Sequence, residues 1–152
     1  MLRPFMLNDY DIHGTFVSYH NQGLLFLGQS GTGKSLLAYQ LIADGAQLIA
    51  DDIVHINTQN IGSAHQKNRG LIEVYGLGVI RLNPHQYKIS APITHIFFSG
   101  AHIERVYASQ YFNLNEKPIS YSRYNFGHYF APSYIKLFCA MLNGDIAIKN
   151  SL

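Results

Sequence analysis

One stretch of the chain carries residue types at a spacing suited to binding a phosphate chain. It reads G-x-x-x-x-G-K-S and consists of Gly28, Gln29, Ser30, Gly31, Thr32, Gly33, Lys34 and Ser35. Glycines let the backbone turn its N–H groups inward around a phosphate, and a following helix N-terminus adds partial positive charge. Lys34 would reach the terminal phosphates as a point charge, and the Ser35 hydroxyl would take one position on Mg²⁺. The pattern predicts a nucleoside triphosphate site.

The elements around this loop match what such a site needs. Residues 15–19 alternate as a strand, residues 20–23 read as a turn, and the apolar residues 24–27 form the return strand of a hairpin. A helix is predicted from about Lys34 until near Gly45, which suits the position just after a helix end. The loop therefore has the strand before it and the helix after it that its chemistry requires.

Two adjacent carboxylates, Asp51 and Asp52, end a short apolar strand predicted at residues 47–52, and residues 53–57 either continue this strand or return after a break. Near a phosphate loop, a carboxylate can hold magnesium or act as general base for an attacking hydroxyl. Neighbouring side chains on a strand point to opposite faces, so only one would face the nucleotide unless the strand breaks there. A solvent-facing strand end or the N-cap of a turn is the alternative interpretation.

Glu73 and His13 are further candidates. Glu73 interrupts the apolar residues 71–74, where it is either a magnesium ligand or the water-facing residue of an alternating strand. Residues 71–82 read as one extended segment, in which Gly76 and Gly78 indicate a bulge or a close backbone approach. His13 on its own reads as a surface or core residue, and the other seven histidines show no metal-ligand spacing.

The remaining chain supplies few further signals. Residues 58–70 are polar and loop-like, and strands are predicted at 93–98, 104–107 and 118–121. Residues 133–142 read as a helix, set off by Pro132, whose apolar surface indicates a core or interface helix. Its Cys139, the only cysteine, is expected in the core and excludes a disulfide framework.

Composition limits the protein class. The chain has 152 residues, 47% of them hydrophobic and only 13% charged, which favours one compact domain over disorder and is compatible with a covered oligomer face. A net charge of +2, without a basic run, predicts no nucleic acid partner. No signal-peptide pattern or apolar run of transmembrane length occurs, so we expect a soluble, cytoplasmic protein that does not bind membranes.

Together these segments resemble the catalytic domain of the HPr kinase/phosphorylase family. The resemblance covers roughly residues 13–82. It rests on His13-Gly14, the loop at 28–35, Leu41-Ile42 followed by Gly45, residues 48–52, and residues 71–80, which are similar to the family signature L-x-E-V/I-R-G-L-G-I-I. The resemblance implies a single P-loop catalytic domain over residues 1–152. It also implies an α/β fold, with a kinase core like that of phosphoenolpyruvate carboxykinase and a mixed sheet flanked by helices.

The resemblance also implies residue roles. Residues 28–35 would bind the phosphates of ATP, with Lys34 stabilising the transferred charge. Ser35 and Glu73 would hold Mg²⁺, while Asp52 would support Asp51 or the metal. Asp51 would take the proton of a serine on an HPr-like phosphocarrier protein and return it during phosphorolysis, which gives pyrophosphate. His13 would lie at the same site, and the family's oligomers predict a homo-oligomer, specifically a hexamer.

The chain also departs from the family pattern. Tyr75 stands where the family usually has arginine, and Arg81 stands where many members have aspartate or a small polar residue. No arginine maps onto the family's catalytic loop, although Arg81, Arg105 and Arg123 are candidate sources of charge. Two other functions therefore stay open: a P-loop kinase or NTPase with another substrate, and a nucleotide-sensing module without turnover.

Overall fold

Strands dominate the part of the chain that the computed structural model describes, which is residues 9–101, 110–147 and 149. Within these residues there are ten strands and two α-helices. The strands are β1 (Tyr10–Tyr19), β2 (Gln22–Leu27), β3 (Gln47–Ile56), β4 (Ile61–Ser63), β5 (Leu71–Val74), β6 (Gly78–Arg81), β7 (Ser90–Pro92), β8 (His95–Ser99), β9 (Tyr111–Leu114) and β10 (Lys117–Tyr124); the helices are α1 (Lys34–Ala43) and α2 (Ala131–Leu142).

Eight of the described strands form one mixed sheet, in the order β7-β4-β3-β1-β2-β8-β10-β9. Strands β2, β8 and β10 run parallel to one another, whereas the other neighbours pair antiparallel. The parallel strands consequently end at the same edge of the sheet, which is where ligands bind in open α/β sheets. Strands β5 and β6 form a separate antiparallel hairpin.

Buried apolar side chains form one core on each face of the sheet. Both helices pack into the first core through their apolar stripes, together with residues of β2 and of the β5–β6 hairpin. The second core contains strand residues from both halves of the sheet, such as Phe16, Leu25 and Ile119. Neither helix contributes to this second core. The sheet therefore curls, and its own strands cover that face.

Several predictions from the sequence are confirmed. The hairpin that leads into the glycine-rich loop is present, α1 ends just before Gly45, and Cys139 is a buried residue of α2. The final helix begins at Ala131, so that Pro132 lies in its first turn, where the missing N–H costs nothing.

No helix among the described residues is both long and apolar enough to cross a membrane.

Two local predictions were wrong. Residues 58–70 are not a plain loop, because they contain β4 and a short 3₁₀ helix (Gln66–Asn68). Residues 71–82 do not form a single extended segment but a hairpin, whose turn contains Gly76. A Cβ built on Gly76 or Gly78 would meet no described atom within 4 Å, so the predicted close approach is absent.

Of the two alternatives for residues 53–57, the continuing strand is confirmed, so the two carboxylates lie inside their strand and not at its end. β3 continues beyond Asp52 to Ile56, because Ile53, Val54 and Ile56 keep pairing with β1. The backbone is nevertheless irregular at this point, since Asp52 has a φ of 72°. The strand predicted at 104–107, including Arg105, lies outside the described residues.

Candidate active site

The loop of residues 28–35 begins directly after β2, and its last two residues are the first two of α1. Gly31 and Gly33 have φ values of 86° and 93°, a backbone conformation that glycine adopts without steric cost. A Cβ on Gly28 would lie 2.7 Å from the Cβ of Ser99, so the loop approaches the end of β8 closely. The loop therefore starts α1 at the sheet edge where the parallel strands end, with the helix N-terminus facing it.

Lys34 folds back across this loop. Its Nζ donates hydrogen bonds to the carbonyl oxygens of Gly28, at 2.6 Å, and of Gln29, at 3.0 Å. Partial burial of the ammonium lowers its pKa, while the negative charges of Asp51 and Asp52 act in the opposite direction. The cation is thus held beside the loop and within electrostatic reach of both aspartates.

Asp51 is the centre of a hydrogen-bond network. Its Oδ1 accepts bonds from the hydroxyls of Ser35, at 2.8 Å, and Thr15, at 2.9 Å. Its Oδ2 accepts a bond from the backbone N–H of Glu73, at 2.9 Å. The carboxylate is therefore oriented by three donors of the described chain, which come from α1, β1 and β5.

Asp52 lies next to this network and pairs with His13. Their Oδ1 and Nδ1 atoms are 3.2 Å apart, and both side chains are more than two-thirds exposed, at 70% and 72%. In a regular strand Asp51 and Asp52 would point to opposite faces. The left-handed backbone at Asp52 interrupts that alternation, and both carboxylates act on Lys34. Backbone strain of this kind often marks a functional position.

Glu73 contributes its backbone rather than its side chain to the network. Its side chain is exposed on β5 between the buried residues Ile72 and Val74, as in an alternating strand, and its role as a magnesium ligand stays a prediction. Among the described residues, no group of three or more His, Cys, Asp or Glu side chains is arranged to hold a metal ion. The oxygens of Ser35, Asp51 and Asp52 are nevertheless hard ligands of the kind that Mg²⁺ prefers.

The structure also places the residues where the chain departs from the family pattern. Tyr75 is fully exposed in the turn of the β5–β6 hairpin, and Arg81 is exposed at the end of β6. Arg123 lies on β10, with its guanidinium carbon 5.7 Å from the centre of the Phe98 ring. Arg81 and Arg123 both stay predicted sources of positive charge for the site.

Sequence reasoning missed Thr15 and the amide of Glu73. Thr15 is fully buried and lies opposite Asp51 in the β1–β3 ladder. Its polar side chain between Gly14 and Phe16 was a weak signal for a buried hydrogen bond, because buried hydroxyls have partners. The register of β1 with β3, which supplies that partner, could not be obtained from a single sequence.

Comparison with known proteins identifies the family of the chain. Residues 5–90, more than half of the chain, match the family model of the HPr Serine kinase C-terminal domain. The residues that carry the predicted resemblance lie inside this match. By its fold and site, the protein is an α/β protein with a glycine-rich loop at the edge of the sheet where the parallel strands have their carboxyl ends. Within that class, the chain belongs to the HPr serine kinase C-terminal domain family.

Curated relatives extend the comparison. The chain is 39% identical over 101 residues to the HPr kinase/phosphorylase of Mycoplasmopsis pulmonis, an alignment that covers 64% of this chain and 33% of that protein. It is 41% identical over 75 residues to the HPr kinase/phosphorylase of Bacillus licheniformis, covering 47% and 24%. The chain thus spans a third or less of the length of these relatives.

The fold matches a solved structure over most of its length. The Hpr(Ser) kinase/phosphatase from Coxiella burnetii superimposes with a TM-score of 0.78, covering 90% of this chain and 97% of that chain. Sequence identity in this pair is 19%, so the likeness is one of fold. The predicted α/β architecture with a mixed sheet and flanking helices is confirmed.

Proposed function

We propose that this chain is an ATP-dependent serine kinase that acts on an HPr-like phosphocarrier protein, with phosphorolysis of the phosphoserine as the reverse reaction. The observation that carries this proposal is the 2.8 Å hydrogen bond from Ser35 of the glycine-rich loop to Asp51. This bond joins a phosphate-binding element to a carboxylate able to accept a proton. The names of the relatives, HPr kinase/phosphorylase, supply the substrate class.

Residues 28–35 and the N-terminus of α1 would hold the phosphates. The positive φ values of Gly31 and Gly33 shape the loop, and the first turn of α1 offers backbone N–H groups to an anion. Lys34 now donates to two loop carbonyls. On nucleotide binding its ammonium would exchange these carbonyls for phosphate oxygens, which are stronger acceptors because they are charged. It would then stabilise the charge that develops on the transferred group.

Asp51 would act as the base. Each carboxylate oxygen has two acceptor positions, and Oδ1 already accepts two hydroxyl bonds. Oδ2 accepts one amide bond from the described chain, so its second position is the place for the proton of the substrate serine. The serine oxygen would attack the terminal phosphorus of ATP while Oδ2 takes the serine proton. The bond from that phosphorus to the bridging oxygen would break, and ADP would leave with the bridging oxygen. Oδ2 would return the serine proton in the reverse reaction.

The donor set fits a magnesium ion held with the nucleotide. Ser35 donates its only proton to Asp51, so the lone pairs of its oxygen stay available to a cation. Ser35, Asp52 and the exposed side chain of Glu73 are the residues that would hold the ion, directly or through water. When bound, Mg²⁺ would neutralise phosphate charge during transfer.

His13 would support this site through Asp52. The pair is exposed and 3.2 Å apart, so an arriving phosphate or protein substrate could contact either side chain. Positioning and charge neutralisation dominate phosphoryl transfer, and a histidine beside the second carboxylate serves both.

We further propose that residues 1–152 act as one domain and that the protein forms a homo-oligomer, specifically a hexamer, which light scattering would test.

The direct test is incubation of the full chain with ATP, Mg²⁺ and HPr-like proteins, with phosphoserine read by mass spectrometry. Phosphorylated HPr is expected. When the chain is incubated with purified phospho-HPr and phosphate, it should release pyrophosphate. A matched reaction with an HPr variant that has alanine at the target serine controls for other acceptors. ATP consumption with both HPr proteins would instead indicate an NTPase or a kinase for another substrate.

A second function is favoured by the Tyr75 position. The family usually has arginine there, and in this chain a neutral, fully exposed tyrosine occupies the hairpin turn. A site without that cation would bind nucleotide yet transfer phosphate slowly. Nucleotide binding without magnesium-dependent turnover would identify a nucleotide-sensing module, and recovery of turnover in Tyr75→Arg would show that the missing charge is the cause.

A further inference from the structure

The loop that follows β10 carries a cluster of exposed aromatic rings. The ring centres of His128 and Tyr129 are 4.8 Å apart, and those of Tyr129 and Phe130 are 4.2 Å apart. Tyr129 is 80% exposed and Phe130 is 55% exposed. Two large rings side by side in water are costly to leave uncovered, because each presents a broad apolar face. The proposed roles of the glycine-rich loop and Asp51 do not use these rings.

Sheet topology places this cluster beside the glycine-rich loop. Strands β2 and β10 both run parallel to β8, so the segments that follow them leave the sheet at the same edge. A Cβ built on Gly33 would lie 3.8 Å from the backbone nitrogen of Gly127. Tyr129 and Phe130 follow within three residues of that point.

The loop is held firmly in this position. Phe126 is buried and packs edge-on against Phe26 of β2, with ring centres 5.4 Å apart. The side chain of Asn125 accepts a hydrogen bond from the N–H of Gly127, and the ring of His128 accepts one from the N–H of Phe130. Helix α2 begins at the next residue. The exposed rings are therefore presented on a fixed support.

We propose that Tyr129 and Phe130 form the binding surface for the purine base of the nucleotide whose phosphates residues 28–35 hold. This inference rests on the proposed function. A triphosphate bound at the glycine-rich loop must direct its sugar and base to one side of that loop, and these rings are exposed beside it. Nucleobases stack on aromatic side chains, which removes apolar faces of both partners from water.

The test compares two ligands that share their phosphates. Isothermal titration of the full chain with Mg²⁺-ATP and with Mg²⁺-tripolyphosphate measures the base separately from the phosphates. Tyr129→Ala is expected to weaken ATP binding about tenfold and to leave tripolyphosphate binding unchanged. Tyr111→Ala is the matched control, because Tyr111 is also exposed, at 58%, but lies on the edge strand β9, opposite Ser120 of β10, and not in the loop that follows β10. Phe130→Ala should weaken ATP binding in the same selective way.

A spectroscopic readout is independent of these affinities. The chain contains no tryptophan, so Tyr129→Trp introduces a single indole at the proposed surface. Stacking of adenine should quench its fluorescence when ATP is added, whereas tripolyphosphate should leave the emission unchanged.

Three outcomes decide the inference. Selective loss of ATP binding in Tyr129→Ala supports it. Equal affinities for ATP and tripolyphosphate, unaffected by Tyr129→Ala and Phe130→Ala, would overturn the base site while leaving the phosphate site intact. Failure of the unaltered chain to bind either ligand would overturn both this inference and the proposed function.

Discussion

The β1–β3 ladder brings aspartate and histidine side chains together at two places, and the two clusters differ in their partners. At one place Gly14 and Thr15 face Asp52 and Asp51; at the other Asp11 faces His55. The first cluster lies in the middle of these strands, where β2 ends and the glycine-rich loop begins. The second, which we call the distant cluster, lies further along at the start of β1 and the end of β3. The two places therefore show how similar residues acquire different chemistry.

In the distant cluster the charges satisfy one another. His55 contacts Asp11 at 2.8 Å through Nδ1 and Asp9 at 3.4 Å through Nε2, while His65 contacts the other oxygen of Asp11 at 3.0 Å. Hydrogen bonding to Asp11 raises the pKa of His55, and hydrogen bonding to His55 lowers the pKa of Asp11. Both ring nitrogens of His55 are engaged, so this cluster stabilises the fold rather than receiving a ligand.

At the candidate site the partners of Asp51 are hydroxyl and amide groups instead. Thr15, Ser35 and the Glu73 amide orient Asp51 without cancelling its charge. Asp52 and His13 are exposed, and the backbone at Asp52 is left-handed. The difference between the clusters shows that neutral donors orient a carboxylate and leave its charge available for catalysis. Histidines that pair with a carboxylate instead neutralise its charge.

The largest effect is expected for Lys34→Ala, which removes the cation of the candidate site. Phosphoryl transfer should fall by a factor of about 1,000 or more and ATP binding should weaken, because charge stabilisation in the transition state is lost. Lys136→Ala is the control, since this exposed lysine pairs with Asp44 at 3.3 Å on the helices. The rate of phosphoryl transfer, measured with saturating HPr, should be the same for Lys136→Ala as for the unaltered chain. Equal activity of Lys34→Ala and the unaltered chain would show that the glycine-rich loop is not the site.

Asp51→Asn and Asp11→Asn test the two clusters against each other with the same chemical change. An asparagine at position 51 keeps an oxygen for the two hydroxyls but cannot accept the substrate proton, so transfer should fall about 100-fold or more while ATP still binds. Asp11→Asn should retain full transfer activity. Paired kinetic and titration measurements check this contrast, and the reverse pattern would move the base to the distant cluster.

Thr15→Val tests whether orientation of Asp51 matters. Valine nearly preserves the buried shape but removes one hydrogen bond to the carboxylate. We expect kcat to fall about tenfold with little change in KM, because hydrogen bonds to charged groups contribute about 1.5–3 kcal/mol. Thr15→Ser should recover most of the rate. If both variants lose stability without any change in kcat, Thr15 is only a packing residue.

The smallest effect concerns the pH dependence of the distant cluster. The raised pKa of His55 stabilises the fold below about pH 6.5, and this contribution disappears as the pH rises through the folded pKa. The lowered pKa of Asp11 stabilises the fold above about pH 4 and is lost in stronger acid. The Tm difference between the unaltered chain and Asp11→Asn should therefore be largest near pH 5, where both groups are charged, and smaller near pH 9, where His55 is neutral and its attraction to Asp11 is lost.

A second histidine acts in the opposite direction and must be separated from this effect. His95 is buried between the hydroxyls of Ser120 and Ser122, and burial lowers its pKa to about 3. Unfolding lets it take up a proton below about pH 6.5, so it destabilises the fold in acid. This contribution cancels when two chains that both contain His95 are compared. A Tm difference that does not vary with pH would contradict the assignment of His55 and Asp11.

Local sequence was enough to predict the elements around the loop. Glycine and lysine spacing defines residues 28–35, the apolar run before them is β2, and the helical pattern after them is α1. The pattern also selected Asp51, because a carboxylate after a buried run is unusual. It could not show that β3 continues past Asp52, since the following residues suit either a strand or a new element.

Pairing between distant segments decided the rest. Thr15 meets Asp51 across 36 residues and the Glu73 amide meets it across 22, so these contacts depend on strand register and hairpin position. The sequence by itself determined which residues could bind phosphate and accept a proton, because those properties are local. Tertiary structure alone decided which of them meet, because a one-residue change of register would turn each side chain to the other face.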